Sequence, residues 1–212
     1  MLRITNLSKR YGRKKVFHNA SLTIPSTGIH LLRGENGNGK TTLLKCLAGL
    51  ERYQGRILWH DDSLVNKISA VFDDSAVHGR LTGLQNLRAL LDISSNQVED
   101  APAVKAFFNR ELLARRSATY SLGQRKKIKL AAAFAAGKPC ILLDEPLSGL
   151  DNAGRTGLTK LLEVAADSTC VIISDHESSF YHHLASSEFT IRQGRIMHGS
   201  DEILTKVDNP DE

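Results

Sequence analysis

Nine residues, GENGNGKTT at positions 34–42, carry the clearest chemistry in this 212-residue sequence. They match G-x-x-x-x-G-K-[ST], a pattern in which each residue type has a physical task. Gly34, Gly37 and Gly39 have no Cβ, so the backbone N–H groups around them can curl about phosphate oxygens. Lys40 adds a positive charge over the outer phosphates, and the Thr41 hydroxyl is a hard oxygen suited to Mg2+. A glycine-rich turn capping an amphipathic helix would account for any one of these glycines, but not for the full pattern between an apolar strand and a helix. The whole loop, with Asn36, Asn38 and Thr42, is therefore read as a seat for nucleotide phosphates.

Two further stretches need a chemical reason. CILLDEP at 140–146 is an apolar strand ending in adjacent carboxylates, which is costly unless a cation or a reaction uses them. Asp144 suits Mg2+ coordination, and Glu145 suits polarising the water that attacks a γ-phosphate. YSLGQ at 120–124 opens a helix at a good N-cap, Ser121, yet Arg125, Lys126 and Lys127 then crowd a first turn where the helix dipole favours anions. Those cations either raise the local positive potential or form a solvated helix face, and the sequence leaves both open.

The elements that must hold these groups form a mixed α/β chain. LRITNL and ASLTI alternate apolar and polar residues like strands of a half-exposed sheet, joined by a basic loop, SKRYGRKK. GIHLLRG is a short apolar strand running into the phosphate loop, TTLLKCLAGL has helical spacing, and GRILWHDD is another strand. Residues 81–136 read as mainly helical. CILLDEP and CVIISDH are buried strands with a helix at 152–166 between them, a β-α-β crossover that implies parallel pairing. EFTIRQGRIMHG reads as a hairpin turning at Gln193 and Gly194.

Composition narrows the remaining classes. A chain 41% hydrophobic and 24% charged can bury one substantial core in a single domain. No apolar run approaches the roughly 18 residues of a membrane span, and the first residues lack a secretory h-region, so a cytosolic protein is expected. Cys46, Cys140 and Cys170 have no metal-ligand spacing and are expected as buried, reduced thiols. A net charge of +5, without a long basic run, argues against a nucleic-acid arm.

Taken in order, GENGNGKTT, YSLGQ, ILLDEP, LSGLD and IISDH closely resemble the nucleotide-binding subunit of ATP-binding cassette (ABC) transporters over nearly the whole chain. The resemblance implies an α/β fold: a P-loop NTPase core with a mostly parallel sheet, an antiparallel β subdomain at the N-terminus, and an α-helical subdomain inserted at about 75–136, all within one domain of residues 1–212. It implies ATP and Mg2+ as ligands, with Lys40 and Thr41 on the phosphates and metal, Asp144 supporting the metal and Glu145 as the catalytic carboxylate. It places His176 on the γ-phosphate, Tyr11 against adenine, Asp151 across a dimer interface, and Ser121, Gly123 and Gln124 against the nucleotide of a second copy. The partners implied are a head-to-tail homodimer or paired cassette and an integral membrane permease touching residues 75–91, which would hold the chain peripherally at the inner face of the membrane. Two positions depart from the family pattern. Asp73 stands where many members have a glutamine near the metal and is carried as a candidate metal ligand, and Leu122 replaces a signature glycine. The alternatives are an ABC-type ATPase without a transport role, such as the iron–sulfur assembly type, and a small-molecule kinase with the same phosphate loop.

Overall fold

The computed structural model describes residues 1–74, 77–92 and 96–199. The remaining residues, including Ser75 and Ala76 at the expected start of the helical insertion and 200–212 at the end of the expected domain, lie outside this description.

The chain begins with a long hairpin of β1 (Leu2–Tyr11) and β2 (Lys14–Ile24), continues into β3 (Gly28–Arg33) and α1 (Lys40–Leu47), and then forms β4 (Gln54–Trp59), β5 (Asp62–Ser63) and β6 (Ile68–Val71). A helical stretch follows, with α2 (Gly83–Leu91), α3 (Pro102–Lys105), α4 (Arg110–Ala114) and α5 (Leu122–Ala135). The C-terminal part comprises β7 (Cys140–Asp144), α6 (Asn152–Ala166), β8 (Cys170–Ser174), β9 (Ala185–Arg192) and β10 (Arg195–His198).

Two sheets result. One is antiparallel, in the order β2-β1-β4-β5, and the other has the order β10-β9-β3-β8-β7-β6. In the second, β6, β7, β8, β3 and β9 run parallel and only β10 runs against them. The expected crossover is present, because β7 and β8 pair directly from Cys140 with Cys170 to Asp144 with Ser174. Gln193 and Gly194 both have positive φ, 48° and 75°, the backbone that a two-residue type I′ hairpin requires.

Alternation along the buried strands sorts their side chains into two cores. Cys140, Leu142, Cys170 and Ile172 face α1 and the antiparallel sheet, where they meet Leu43, Leu44, Phe17 and Trp59. Ile141, Leu143, Val171 and Ile173 face α5 and α6, where they meet Leu130, Leu158 and Leu162. A third core lies within the helical stretch, around Leu87, Val104, Phe108, Tyr120 and Ile128. Helix α5 is the shared wall, giving Ile128 and Ala131 to the third core and Leu130 and Ala133 to the second. All three cysteines are free and buried.

One element differs from the sequence reading. The expected loop of residues 8–15 is strand: β1 and β2 pair as far as Tyr11 with Lys14, leaving two residues at the turn. The apolar alternation that marks a strand stops here, because the one buried position is a lysine, Lys9, and residues 10–15 are exposed, but backbone pairing does not need it.

Candidate functional site

The ends of four parallel strands converge. Leu32 is level with Ser174, Asp144 with Ser174, and Val71 with Leu143, so the phosphate loop, the Asp144–Glu145 pair, His176 and the segment 72–74 all leave one edge of the sheet. In open α/β sheets this carboxyl edge is where ligands bind.

Gly34, Gly37 and Gly39 have φ of 143°, 79° and 105°, so the loop depends on glycine's left-handed freedom. At Gly39, the N-cap of α1, a Cβ would also come within 2.7 Å of Val16. At Gly37 it would meet nothing, so that side of the loop faces open space. Lys40 is buried, and its Nζ donates to the carbonyls of Gly34 at 2.5 Å and Glu35 at 3.3 Å. Asn38 Nδ2 ties the loop to Ile191 O at 3.3 Å, while Asn36 is exposed and Thr42 is half-buried.

Strand parity explains how the metal-type oxygens meet. Asp144 and Ser174 continue the 140, 142 and 170, 172 rows that face α1, so Asp144 lies opposite the first turn of that helix. Thr41 Oγ1 donates to Asp144 Oδ1 at 3.1 Å, and the buried Ser174 hydroxyl donates to the same oxygen. One residue on, Glu145 has φ of 46°, uncommon for a non-glycine residue, and is held there by its N–H donating to Ser174 O at 2.7 Å. Its Oε1 is 3.1 Å from His176 Nε2, with both side chains partly exposed. Asp175 braces this corner by accepting from Leu147 N at 3.3 Å, Glu177 N at 2.9 Å and the Tyr181 hydroxyl at 2.8 Å. Burial pushes the Tyr181 phenol well above its ordinary range, so it stays a donor. A hydroxyl and a carboxylate oxygen side by side, next to a phosphate loop, fit a hard cation such as Mg2+.

Ser121 caps α5 in a reciprocal capping box: its Oγ accepts from Gln124 N at 3.1 Å, and Gln124 Oε1 accepts from Ser121 N at 3.0 Å. Gly123 sits against the Gly149 carbonyl, where any Cβ would collide. The cations after it are neither a free positive patch nor a solvated face. Arg125 donates to the carbonyls of Ser117 and Ala118 at 3.3 and 3.2 Å, and buried Lys126 pairs with Asp73 at 2.6 Å. Lys127, also buried, pairs with Asp151 at 2.7 Å, and Lys129 donates to the carbonyls of Phe72 and Asp73 at 2.8 and 3.1 Å. Asp151 also caps α6 by accepting from Gly154 N at 2.8 Å.

The structure thus brings Lys40, Thr41, Asp144, Glu145 and His176 together. Asp73, read as a metal ligand, directs its carboxylate to Lys126 of α5, whereas Thr41 and Asp144 contact each other. Tyr11 is half-exposed at the tip of the β1–β2 hairpin, with Lys9 Nζ 4.5 Å from its ring centroid. Sequence reasoning did not single out Ser174 or Asp175 as supports of the site. The signal was a serine and an aspartate closing an otherwise apolar strand, CVIIS followed by Asp175.

A phosphate loop opening a helix, with paired carboxylates at the end of the neighbouring strand system, defines a P-loop NTPase. A sequence profile of the family described as ABC transporter matches residues 17–148. The chain is 31% identical over 192 residues to the cytochrome c biogenesis ATP-binding export protein CcmA of Vibrio cholerae, covering 85% of this chain and 93% of that one. It is 31% identical over 218 residues to the lipopolysaccharide export system ATP-binding protein LptB of Escherichia coli, covering 94% and 90% of the two chains. The solved structure of an ATP-binding subunit of an ABC transporter superposes with a TM-score of 0.85 at 22% identity, covering 98% of this chain and 93% of that one. A dimeric ATP-binding cassette in a post-hydrolysis state with ADP and Pi superposes with a TM-score of 0.80 at 20% identity, covering 92% and 96%. The chain belongs to the ABC transporter family, as one of its ATP-binding subunits.

Proposed function

We propose that this chain hydrolyses ATP within a head-to-tail dimer and thereby drives conformational change in a membrane-spanning partner. The observation that carries the nucleotide site is Lys40. Of the buried lysines, Lys9, Lys126 and Lys127 each pair with a carboxylate, whereas Lys40, among the described residues, bonds only main-chain carbonyls. A buried ammonium without a counter-charge is costly, and an ATP phosphate supplies that charge.

In this reading the N–H groups of residues 34–42 and Lys40 Nζ hold the β- and γ-phosphates, and Tyr11 stacks on adenine. Thr41 and Asp144 would hold Mg2+, which would offset phosphate charge. Glu145 takes the proton of the attacking water as its oxygen bonds to the γ-phosphorus and the bond to the β-phosphate oxygen breaks, while His176 contacts the γ-phosphate and orients Glu145. Ser121 and Gly123 meet the nucleotide of the second copy, and Asp151 lies beside that interface. The solved dimeric cassette supports the pairing, and the export roles in the relatives' names support a membrane partner. No described helix is long and apolar enough to cross a membrane, so this reading puts the spanning role on the partner, with the chain peripheral at the inner face of the membrane.

Glu145→Gln tests the reading. It removes the base and keeps the size, so ATP binding is expected to persist while turnover falls about a hundredfold or more and an ATP-bound dimer accumulates on gel filtration. A fully active variant would remove Glu145 from this role.

A further inference from the structure

Residues 72–74 join two parts of the proposed site that are distant in sequence. On one side Lys45, one turn after Thr41 in α1, pairs with Asp74 at 2.8 Å and lies over the Phe72 ring at 5.7 Å. On the other, Lys126 and Lys129 share a face of α5 at i, i+3 spacing, and both hold the segment, one through the Asp73 carboxylate and one through the carbonyls of Phe72 and Asp73. The helix that opens at Lys40 and the helix that opens at Ser121 are thereby clamped to one short segment.

The exposures of the ion pair are unequal: the Lys126 side chain is 4% accessible and that of Asp73 is 69%. Asp73 could turn to water at little cost, but Lys126 could not, so the carboxylate is the charge that makes the lysine tolerable at its buried position. A glutamine at 73 could accept the lysine's hydrogen bond but would leave its charge unneutralised.

We propose that Asp73 is a positioning residue of this ATPase and not a metal ligand: its ion pair with Lys126, reinforced by Lys129, fixes the Ser121 end of α5 relative to the phosphate-loop helix. The inference rests on the ATPase reading above and adds a device carried by these side chains.

Four variants test it: Asp73→Ala, Lys126→Met, the double variant, and Lys126→Arg. In the absence of nucleotide, Asp73→Ala is expected to lower Tm by about 5 °C and Lys126→Met by clearly less, because only the first strands a buried charge. The double variant is expected to recover at least half of the Asp73→Ala loss, since no lone charge remains. In activity, both single variants are expected to lose about tenfold in kcat, with KM for ATP and the Mg2+ concentration for half-maximal rate within about threefold of wild type. Lys126→Arg is expected to keep most of kcat. A tenfold or larger rise in the Mg2+ requirement of Asp73→Ala, with Lys126→Met unchanged, would assign Asp73 to the metal and overturn the proposal. Strictly additive Tm losses would overturn it as well. Absence of ATPase activity in the wild-type chain would sink the hydrolysis reading, and the thermal cycle would still decide the ion pair.

Discussion

The first turn of α1 carries one cation, Lys40, and the first two turns of α5 carry four, Arg125, Lys126, Lys127 and Lys129, and the two helices satisfy them differently. At α5, Lys126 and Lys127 find carboxylates in their own chain, Asp73 and Asp151, and Arg125 and Lys129 find carbonyls. At α1, Lys40 is equally buried and, among the described residues, bonds the carbonyls of Gly34 and Glu35 alone. The α5 cations are structural: they pull the segments 72–74 and 147–151 onto the helix, and Gly123 allows the close approach to Gly149. The charge left for a ligand is at Lys40. What α5 can offer an anion is its N-terminus and the Ser121 hydroxyl, so the two helix ends are suited to different parts of the work.

The most severe way to break this contrast is to remove the unpaired cation. Lys40→Ala is expected to weaken ATP binding by at least about a hundredfold in a calorimetric titration, because a buried charge on the phosphates is lost. Thermal melting is expected to show an intact fold, since among the described residues the lysine bonds only carbonyls that can accept from water instead. A dissociation constant within threefold of wild type would mean that Lys40 is not the anion's partner.

A smaller effect on binding, with a large effect on turnover, is expected at the other helix. Ser121→Arg places a long cation at the α5 cap, where the shared-site reading brings the second copy's nucleotide. Binding to the monomer is expected to stay within about threefold, because Lys40 is untouched, while turnover falls below about one-hundredth and the ATP-dependent dimer fails to form. Loss of the cap bond to Gln124 costs about 1 kcal/mol of stability. If the variant monomer loses ATP binding, Ser121 belongs to the same site as Lys40 and the division between the helices is wrong.

The same contrast explains how much could be read from the sequence. The phosphate loop, the Asp144–Glu145 pair, the helix at 152–166 and the turn at Gln193–Gly194 are local: each is written in adjacent residues whose backbone needs or charges are distinctive. The crossover between β7 and β8 followed from apolar runs and length alone. The burial of Lys126 and Lys127 could not be read in this way. A lysine's stem is as apolar as a leucine's, and whether its head meets water or a carboxylate depends on residues far along the chain, here Asp73 and Asp151. For the same reason Ser174 and Asp175 escaped notice, because a serine gains its role only when strand register sets it beside Asp144. The Asp73 expectation came from a position in a family pattern, and the side chain that decides its contact lies on another element.

The gentlest test separates the charge of a paired lysine from the geometry around it. Asp151 both caps α6 and neutralises Lys127, and the hydrogen bond from Lys127, followed by that from the Gly154 N–H, holds its carboxyl below the ordinary carboxylate range. A group whose pKa is depressed on folding adds stability above its unfolded pKa of about 3.9, and the contribution disappears as pH falls through the lower folded value. Asp151→Asn keeps an acceptor for the cap but leaves Lys127 without a counter-charge. At pH 7 it is expected to cost about 1 kcal/mol in urea unfolding, a modest figure because the Asp151 side chain is 66% exposed and screened. Repeated down to the lowest pH at which the wild type still gives a complete transition, the difference between the two proteins is expected to shrink, since the wild type loses the same charge on protonation. A difference that stays constant with pH would show that Asp151 acts through its cap geometry, and the counter-charge argument would then lose its support at Lys127 and have to be carried by Lys126 alone.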